Sequence, residues 1–383
     1  MTKERPRQLK AAPAIIVAIG LAMLTGCTTR PSPEVLKPVH LSAPVGSEAA
    51  PDRVSVLAAT NRSPDSLRGG FGGTWAQKLT YEEYAFSVPP GRKDTAITYP
   101  TAKPDPERQF AVVERKQLLK DAFVRQALAS VQADGTIGIF VHGYNYSYQE
   151  ALYRTAQIAA DANIQGAPIL FSWPSAASVT GYVADRDAAL SSRSELNSLV
   201  TSLSASGKVK RIILFGHSMG GFLVMETVRQ LKLQHRDDVV GKLVVVLAAP
   251  DIDVDVFRSQ LADIGKMPIP ISLLVSKDDG ALVASSFIAE ERARVGRLDI
   301  DDPVIREAAL KERVRVIDIT SIQASDGLGH DRYASLVKFG AQIASFENGK
   351  RSSPGDVGAF VFDAAGAAIS SPFRLAGRVV GSQ

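Results

Sequence analysis

The sequence predicts an α/β fold in which helices flank a mainly parallel central sheet. Apolar segments of strand length alternate with helical segments along the chain, and this order implies right-handed crossovers between parallel strands. A glycine-flanked serine lies between one such strand and the next helix. The polar candidates discussed below also follow the ends of predicted strands, where open α/β sheets collect their functional residues.

Six apolar runs predict the strands, because a buried parallel strand is apolar on both faces. They are residues 136–141, 167–173, 211–215, 242–248, 269–275 and 314–319. The stretches between them predict helices. These helices are expected at residues 116–130, 147–162, 187–203, 222–233 and 254–264, with two more that begin at Ala281 and near Tyr333.

The segment Gly216-His217-Ser218-Met219-Gly220 directly follows the strand 211–215. A serine hydroxyl becomes a good nucleophile only when a base takes its proton, and it must project from the backbone to reach a carbonyl carbon. A sharp strand-to-helix turn provides that exposure and requires glycine on both sides, where the chain comes close to itself. The pattern also fits an ordinary turn, but the apolar strand before it and the apolar helix after it favour a nucleophilic Ser218.

A nucleophilic serine of this kind needs a histidine base and a carboxylate that follow it in the chain. His330 lies in a glycine-rich loop after the strand 314–319 and is the candidate base, whereas His235 lies in a charged stretch typical of a solvated surface. Two adjacent aspartates, Asp278 and Asp279, follow the strand 269–275. Either carboxylate could orient the imidazole, so both remain candidates.

The negative charge that develops on a reacting carbonyl oxygen is stabilised by backbone N–H donors. The amide of Met219, directly after the serine, is the first candidate. The second is the amide of Tyr144, which follows the strand 136–141 and a His-Gly turn. Gly143 would allow the chain to come close to the serine, and His142 is expected to shape this turn rather than to act as the base.

The motifs together resemble those of the α/β-hydrolase superfamily and, more narrowly, those of an uncharacterised family of bacterial hydrolase-fold proteins. The resemblance covers about residues 52–345 and rests on segments 54–62, 140–145, 171–175, 216–220, 247–253, 276–282 and 329–330. It implies the α/β-hydrolase fold and a Ser-His-Asp triad, without a settled substrate. It also favours Asp279 over Asp278, because Asp279-Gly280-Ala281-Leu282 matches the family pattern.

The amino terminus is typical of a bacterial lipoprotein signal. A basic start precedes the apolar segment 11–24, which is too short for a comfortable spanning helix, and Leu24-Thr25-Gly26-Cys27 closes it. Lipidation of Cys27 would anchor the protein in the cell envelope. Because Thr28 is not aspartate, the outer membrane, facing the periplasm, is the favoured location. The predicted organisation is a signal peptide and lipobox (1–27), a linker (28–51), an α/β-hydrolase domain (52–345) and a C-terminal tail (346–383).

Composition sets limits on other functions. The signal contains four basic residues and one acidic residue, so its removal lowers the formal charge from +4 to +1, which gives no case for nucleic-acid binding. Cys27 is the only cysteine, which excludes an intramolecular disulfide and a cysteine metal site. No cofactor or metal motif is found. Asp251, after the strand 242–248, could line the pocket or cap the helix that follows, and the capping role is favoured.

The sequence therefore predicts a lipid-anchored serine hydrolase that cleaves a carboxylic ester or related acyl bond through an acyl-enzyme. Its expected partners are a small-molecule or lipid acyl substrate and the membrane. Segment 175–191 is expected to fold over the site, with Tyr182 and Val183 giving apolar contact and Asp185 among the residues giving charge. Two alternatives remain: an envelope binding or scaffolding lipoprotein with a catalytically silent hydrolase fold, and an acyltransferase.

Overall fold

The computed structural model describes residues 30–40, 52–90, 92 and 95–336, together with the backbone of residues 360–362. The helices and strands given below belong to one compact unit, Pro33–Gln383. The predicted signal peptide, with Cys27, and most of the predicted C-terminal tail lie outside the described residues. Within the described ranges, no helix has the length and apolar character needed to cross a membrane.

A ten-stranded sheet forms the centre of the fold, in the order β10-β9-β8-β7-β6-β4-β5-β1-β2-β3. The strands are β1 (Arg53–Pro64), β2 (Phe71–Ser87), β3 (Ala111–Leu118), β4 (Thr136–Val141), β5 (Ile169–Ser172), β6 (Arg211–His217), β7 (Leu243–Ala248), β8 (Ser272–Val275), β9 (Arg315–Asp318) and β10 (Phe360–Phe362). Seven neighbouring strands, from β9 to β1, are parallel. β2, β3 and β10 pair antiparallel at the two edges.

Ten helices connect the strands of the described chain. They are α1 (Lys120–Ala129), α2 (Tyr148–Asp161), α3 (Tyr182–Ser191), α4 (Arg193–Ser204), α5 (Met219–Leu233), α6 (Asp237–Val240), α7 (Val254–Ile264), α8 (Gly280–Ile288), α9 (Pro303–Glu312) and α10 (Arg332–Leu336). Two separate clusters of buried apolar side chains contain residues from the sheet and from these helices. The predicted α/β class with a mainly parallel sheet is therefore confirmed.

Two local predictions were wrong, and one pair of strands was missed. The helix predicted from residue 116 begins at Lys120, because residues 111–118 form the edge strand β3, whose register with β2 continues to Leu118. The helix predicted at 187–203 is two helices that meet at Ser192, whose hydroxyl donates to the Ala188 carbonyl. The antiparallel pair β2–β3 was not predicted, since its polar faces do not give an apolar run.

Candidate active site

Ser218 occupies a strained turn between β6 and α5. Its backbone has φ 54° and ψ −122°, a conformation that costs energy in a residue with a side chain. A Cβ at Gly216 would lie 2.8 Å from the Gly220 carbonyl oxygen, and one at Gly220 would lie 2.3 Å from the His142 carbonyl oxygen. The structure therefore explains why both flanking positions are glycine, as the sequence predicts.

His330 and Asp279 are joined by a hydrogen bond. The His330 Nδ1 atom lies 2.7 Å from Asp279 Oδ2, and the Asp279 carboxylate is completely buried. Asp279 also caps α8, because its Oδ1 accepts a hydrogen bond from the Leu282 amide at 3.0 Å. One carboxylate thus orients the ring and is itself fixed by the helix that it caps.

Asp278, the neighbouring candidate, faces another partner. Its two carboxylate oxygens accept hydrogen bonds from the Arg332 guanidinium at 3.0 and 2.9 Å, and Ser276 donates to it at 2.7 Å. Its side chain is 54% exposed. Of the two adjacent aspartates, the structure brings only Asp279 to the histidine.

The loop that carries His330 lies against the serine turn. The His330 and His217 rings are 4.6 Å apart between centroids, and His217 directly precedes Ser218. His217 Nε2 also lies 3.3 Å from the His330 carbonyl oxygen. Among the residues that the structure describes, no hydrogen bond joins Ser218 Oγ to the His330 ring. Such contacts are often long in an empty hydrolase and shorten when a substrate binds.

The two neighbouring histidines have opposite electrostatic surroundings. Burial favours the neutral His330 ring, but the nearby carboxylates, with Asp279 first among them, together outweigh it and raise the pKa of His330 above the ordinary histidine value. Burial, aided by the nearby His330, holds the pKa of His217 well below that value. His217 is therefore neutral near pH 7, and its ring does not add a second positive charge beside His330.

The turn formed by His142–Tyr146 approaches Ser218 closely. A Cβ at Gly143 would lie 2.9 Å from Ser218 Cβ, so only glycine fits there without displacement. The predicted oxyanion residues are the first residue of α5, Met219, and Tyr144 in this turn. The Tyr144 ring packs edge-on against the Tyr182 ring at 5.4 Å. The two predicted donors thus belong to the two segments that meet at Ser218.

His142 has the structural role that the sequence predicts. It is fully buried, and its ring stacks on Trp173 with centroids 4.9 Å apart. Its Nδ1 lies 2.8 Å from the Gly143 carbonyl oxygen, which only accepts, so Nδ1 carries the proton. Burial and the nearby Arg62 lower the pKa of His142 to about 3, which makes the ring neutral and fixed.

Asp251 does not cap the helix after β7, so that prediction was wrong. Its carboxylate forms a buried ion pair with Arg294 (Nε to Oδ1, 3.2 Å) and accepts hydrogen bonds from Tyr182 and Ser285, each at 2.9 Å. The cap of α7 is Asp253, whose Oδ1 accepts from the Asp255 amide at 2.9 Å. Asp253 is the residue that directly precedes the helix, as capping geometry requires. Arg294 lies far away in the sequence, in a loop without periodicity, and was not predicted.

In segment 175–191, Asp185 differs from its predicted role. Asp185 was expected to give charge to a cover over the site, but it is completely buried and accepts hydrogen bonds from Ser175 Oγ at 2.5 Å and from the Ala176 amide at 2.6 Å. Tyr182 is buried and Val183 is 68% exposed.

Within the described chain, no cluster of three or more histidine, cysteine or acidic residues could hold a metal ion.

One comparison, with models of protein families, agrees with this architecture. A sequence model described as "Alpha/beta hydrolase of unknown function (DUF900)" matches residues 120–345. No curated protein matches the chain.

Several solved structures resemble the chain weakly, and their likeness bears on no substrate. A putative hydrolase from Agrobacterium vitis S4 is 14% identical, with 58% of this chain and 84% of that chain covered and a TM-score of 0.30. The esterase Est22 is 13% identical, with 89% of each chain covered and a TM-score of 0.38. A predicted CIB-like hydrolase from Thermoplasma acidophilum is 16% identical, with 57% and 90% covered and a TM-score of 0.30.

The matched residues make up more than half of the chain and include β4 to β9, Ser218, Asp279 and His330. The chain therefore belongs to this family of α/β hydrolases of unknown function.

Proposed function

We propose that the protein is a serine hydrolase that cleaves a carboxylic ester or a related acyl bond. Ser218 Oγ attacks the acyl carbon while His330 Nε2 takes its proton, and Asp279 holds the imidazole in place through Nδ1. The amides of Met219 and Tyr144 stabilise the oxyanion. The proton then passes to the leaving group, and water cleaves the acyl-enzyme by the same route.

The hydrogen bond between His330 and the buried Asp279 is the observation that carries this proposal. A carboxylate fixed on Nδ1 leaves Nε2 free to act as a base, and it stabilises the imidazolium that forms. The ring belongs to a loop packed against the residue before Ser218. The strained backbone of Ser218 supports the same conclusion, because such strain concentrates at functional sites.

A second candidate function is a binding or scaffolding protein that has lost catalysis. The observation that favours it is the missing hydrogen bond between Ser218 Oγ and the His330 ring in the described structure. The two candidates differ in the reactivity of Ser218, so a probe of that reactivity distinguishes them without knowledge of the substrate.

The direct experiment exposes the full-length protein to a fluorophosphonate, which forms a bond between Ser218 Oγ and phosphorus as fluoride leaves. We expect the wild-type protein to be labelled and Ser218→Ala and His330→Ala to lose labelling. Matched controls are Ser198→Ala, at an exposed serine, and His235→Ala, the histidine on the surface stretch. Both controls should label like the wild type. A folded wild-type protein that resists the probe would favour the binding function.

We also propose that the protein is anchored in the bacterial outer membrane, facing the periplasm, by lipid on Cys27. The basic start, the short apolar segment and the Leu24–Cys27 motif support this location. The test is fractionation of cells that express the wild type or Cys27→Ala. Anchoring predicts that the wild type stays with the membranes and that the variant does not; equal distribution would contradict it.

A further inference from the structure

Two segments that the hydrolase triad does not use, 54–62 and 171–175, converge on the His142–Tyr146 turn. The first lies in β1 and ends with Arg62, and the second runs out of β5 and contains Ser172 and Ser175. The side chains of these three residues are buried, with exposed fractions of 1% or less. A buried arginine is expensive unless all of its donors are satisfied, so its surroundings show what it holds.

Arg62 connects its own strand, β1, with three other segments of the backbone. Its Nη2 donates to the Tyr146 carbonyl oxygen at 2.8 Å, Nη1 donates to the carbonyl oxygens of Ser175 and Gly72 at 2.9 and 3.1 Å, and Nε donates to Ser172 Oγ at 2.9 Å. The planar guanidinium offers five donors at fixed angles, which a lysine ammonium cannot reproduce. The end of the turn is therefore fixed to the ends of β1 and β5.

The Asp185 carboxylate holds the same turn by accepting a hydrogen bond from one of the backbone amides of the turn. Its Oδ2 accepts from the Asn145 amide at 3.1 Å and from Ser175 Oγ, whereas its Oδ1 accepts from the Ala176 amide. Ser175 Oγ in turn lies 3.2 Å from the Tyr146 amide. Asn145 has φ 61°, so the turn adopts a conformation that needs support from its neighbours.

Tyr144, the predicted oxyanion donor, directly precedes Asn145 and Tyr146, the two turn residues that Arg62, Asp185 and Ser175 hold. Its amide direction is fixed on the carboxyl side by the contacts at Asn145 and Tyr146, and on the amino side by His142, whose carbonyl oxygen accepts from the Trp173 indole at 2.8 Å. An oxyanion donor is effective only if it is positioned before the reaction begins.

We propose that Arg62 and Asp185 are positioning residues that hold the His142–Tyr146 turn in the geometry needed for the Tyr144 amide to bind the oxyanion. The inference rests on the proposed serine hydrolase function. It gives a mechanistic reason for segments 54–62 and 171–175, which lie outside the triad. Arg62 and Asp185 act through the turn and do not touch the substrate.

The test measures the limiting labelling rate and the half-saturating concentration of the fluorophosphonate for wild type, Arg62→Lys and Asp185→Asn. A displaced oxyanion donor slows the bond-forming step, so we expect the limiting rate to fall about 10- to 100-fold in both variants. The half-saturating concentration should stay within about twofold of the wild-type value, and the pH midpoint of labelling within a few tenths of a pH unit of it, because His330 and Asp279 are unchanged.

The matched control is Arg115→Lys, which removes a two-pronged interaction with Glu82 at the antiparallel edge of the sheet. It should be destabilised without a change in labelling rate. Thermal unfolding of each variant sets a temperature at which it is folded. If Arg62→Lys does not fold, Ser175→Ala is measured by the same criterion, because it removes the partner of the Tyr146 amide.

The outcomes separate the two proposals. An unlabelled, folded wild-type protein would overturn the serine hydrolase function and this inference with it. If the wild type is labelled and the limiting rates of Arg62→Lys (or Ser175→Ala in its place) and Asp185→Asn lie within twofold of the wild-type rate, only the positioning role is overturned. A change in the pH midpoint equal to that of a His330 or Asp279 variant would also overturn it, since the base would then be the group affected.

Discussion

Two buried carboxylates follow neighbouring strands of the sheet, Asp251 after β7 and Asp279 after β8. Asp251 pairs with the Arg294 guanidinium and accepts hydrogen bonds from two hydroxyl groups. Asp279 faces the His330 imidazole, which can lose and regain a proton near neutral pH.

The partner of a buried carboxylate therefore decides, more than its position on the sheet, what the carboxylate can do. A carboxylate on a permanent cation can only join parts of the structure. A carboxylate on an imidazole can support proton transfer, because the pair changes its charge during the reaction. Substitutions of the two aspartates should therefore affect different properties of the protein.

The largest expected effect is that of Asp279→Asn on labelling. Asparagine keeps the cap of α8 but no longer stabilises the imidazolium or the tautomer with a free Nε2. We expect the labelling rate to fall about 10⁴-fold, as seen when a triad carboxylate is replaced by its amide. Labelling rates measured beside the wild type check this. A loss below about tenfold would show that Asp279 is not the triad acid.

Asp251→Asn should act on stability instead. It leaves the Arg294 charge buried without its anion, which costs about 3–5 kcal/mol of the free energy of unfolding. Urea unfolding measures this loss, and labelling well below the midpoint should fall less than about tenfold. The double variant Asp251→Leu/Arg294→Met is the control, because removing both charges should restore much of the stability. A large loss of labelling with unchanged stability would reverse the assignment.

The pair of His330 and Asp279 should also make the stability of the protein depend on pH. Because Asp279 raises the pKa of His330, the pair stabilises the folded protein fully below the unfolded histidine pKa, about 6.5, and the stabilisation is lost as the pH rises through the folded value. A ring titration by NMR should show His330 titrating above about 6.5 and His217 remaining neutral. Asp279→Asn should lower the His330 midpoint. An unchanged midpoint would contradict the pair.

The smallest expected effect is that of Asp278→Asn. This carboxylate is 54% exposed and pairs with Arg332 at the surface, so its loss should cost less than about 1 kcal/mol. Labelling should match the wild type within about twofold. The adjacent pair Asp278 and Asp279 thus provides an internal control: similar effects of the two substitutions on labelling would contradict the assignment of the acid.

The sequence predicted those features that depend on local order. The strand, elbow and helix around Ser218 follow one another directly, and the steric need for Gly216 and Gly220 follows from that turn alone. His330 could be chosen because only two histidines follow the serine, and one of them lies in a charged surface stretch.

Features that depend on contacts between distant residues could not be predicted. Asp278 and Asp279 differ by one position, so the residues alone left both open and only the family resemblance favoured Asp279; the cap of α8 and the bond to His330 show that Asp279 points inward. The partners Asp251 and Arg294 come from loops with no shared pattern. Arg62 lies in a polar stretch of the sequence, and its burial becomes visible only when three other segments converge on it.

The most direct test of the account is to locate the fluorophosphonate adduct by tandem mass spectrometry in wild-type and Asp279→Asn proteins after the same exposure. If Ser218, His330 and Asp279 form a triad, we expect a single adduct on Ser218 in the wild type and an essentially unmodified Asp279→Asn protein. An adduct on another residue, equal modification of Ser218 in both proteins, or no adduct on the folded wild type would contradict it.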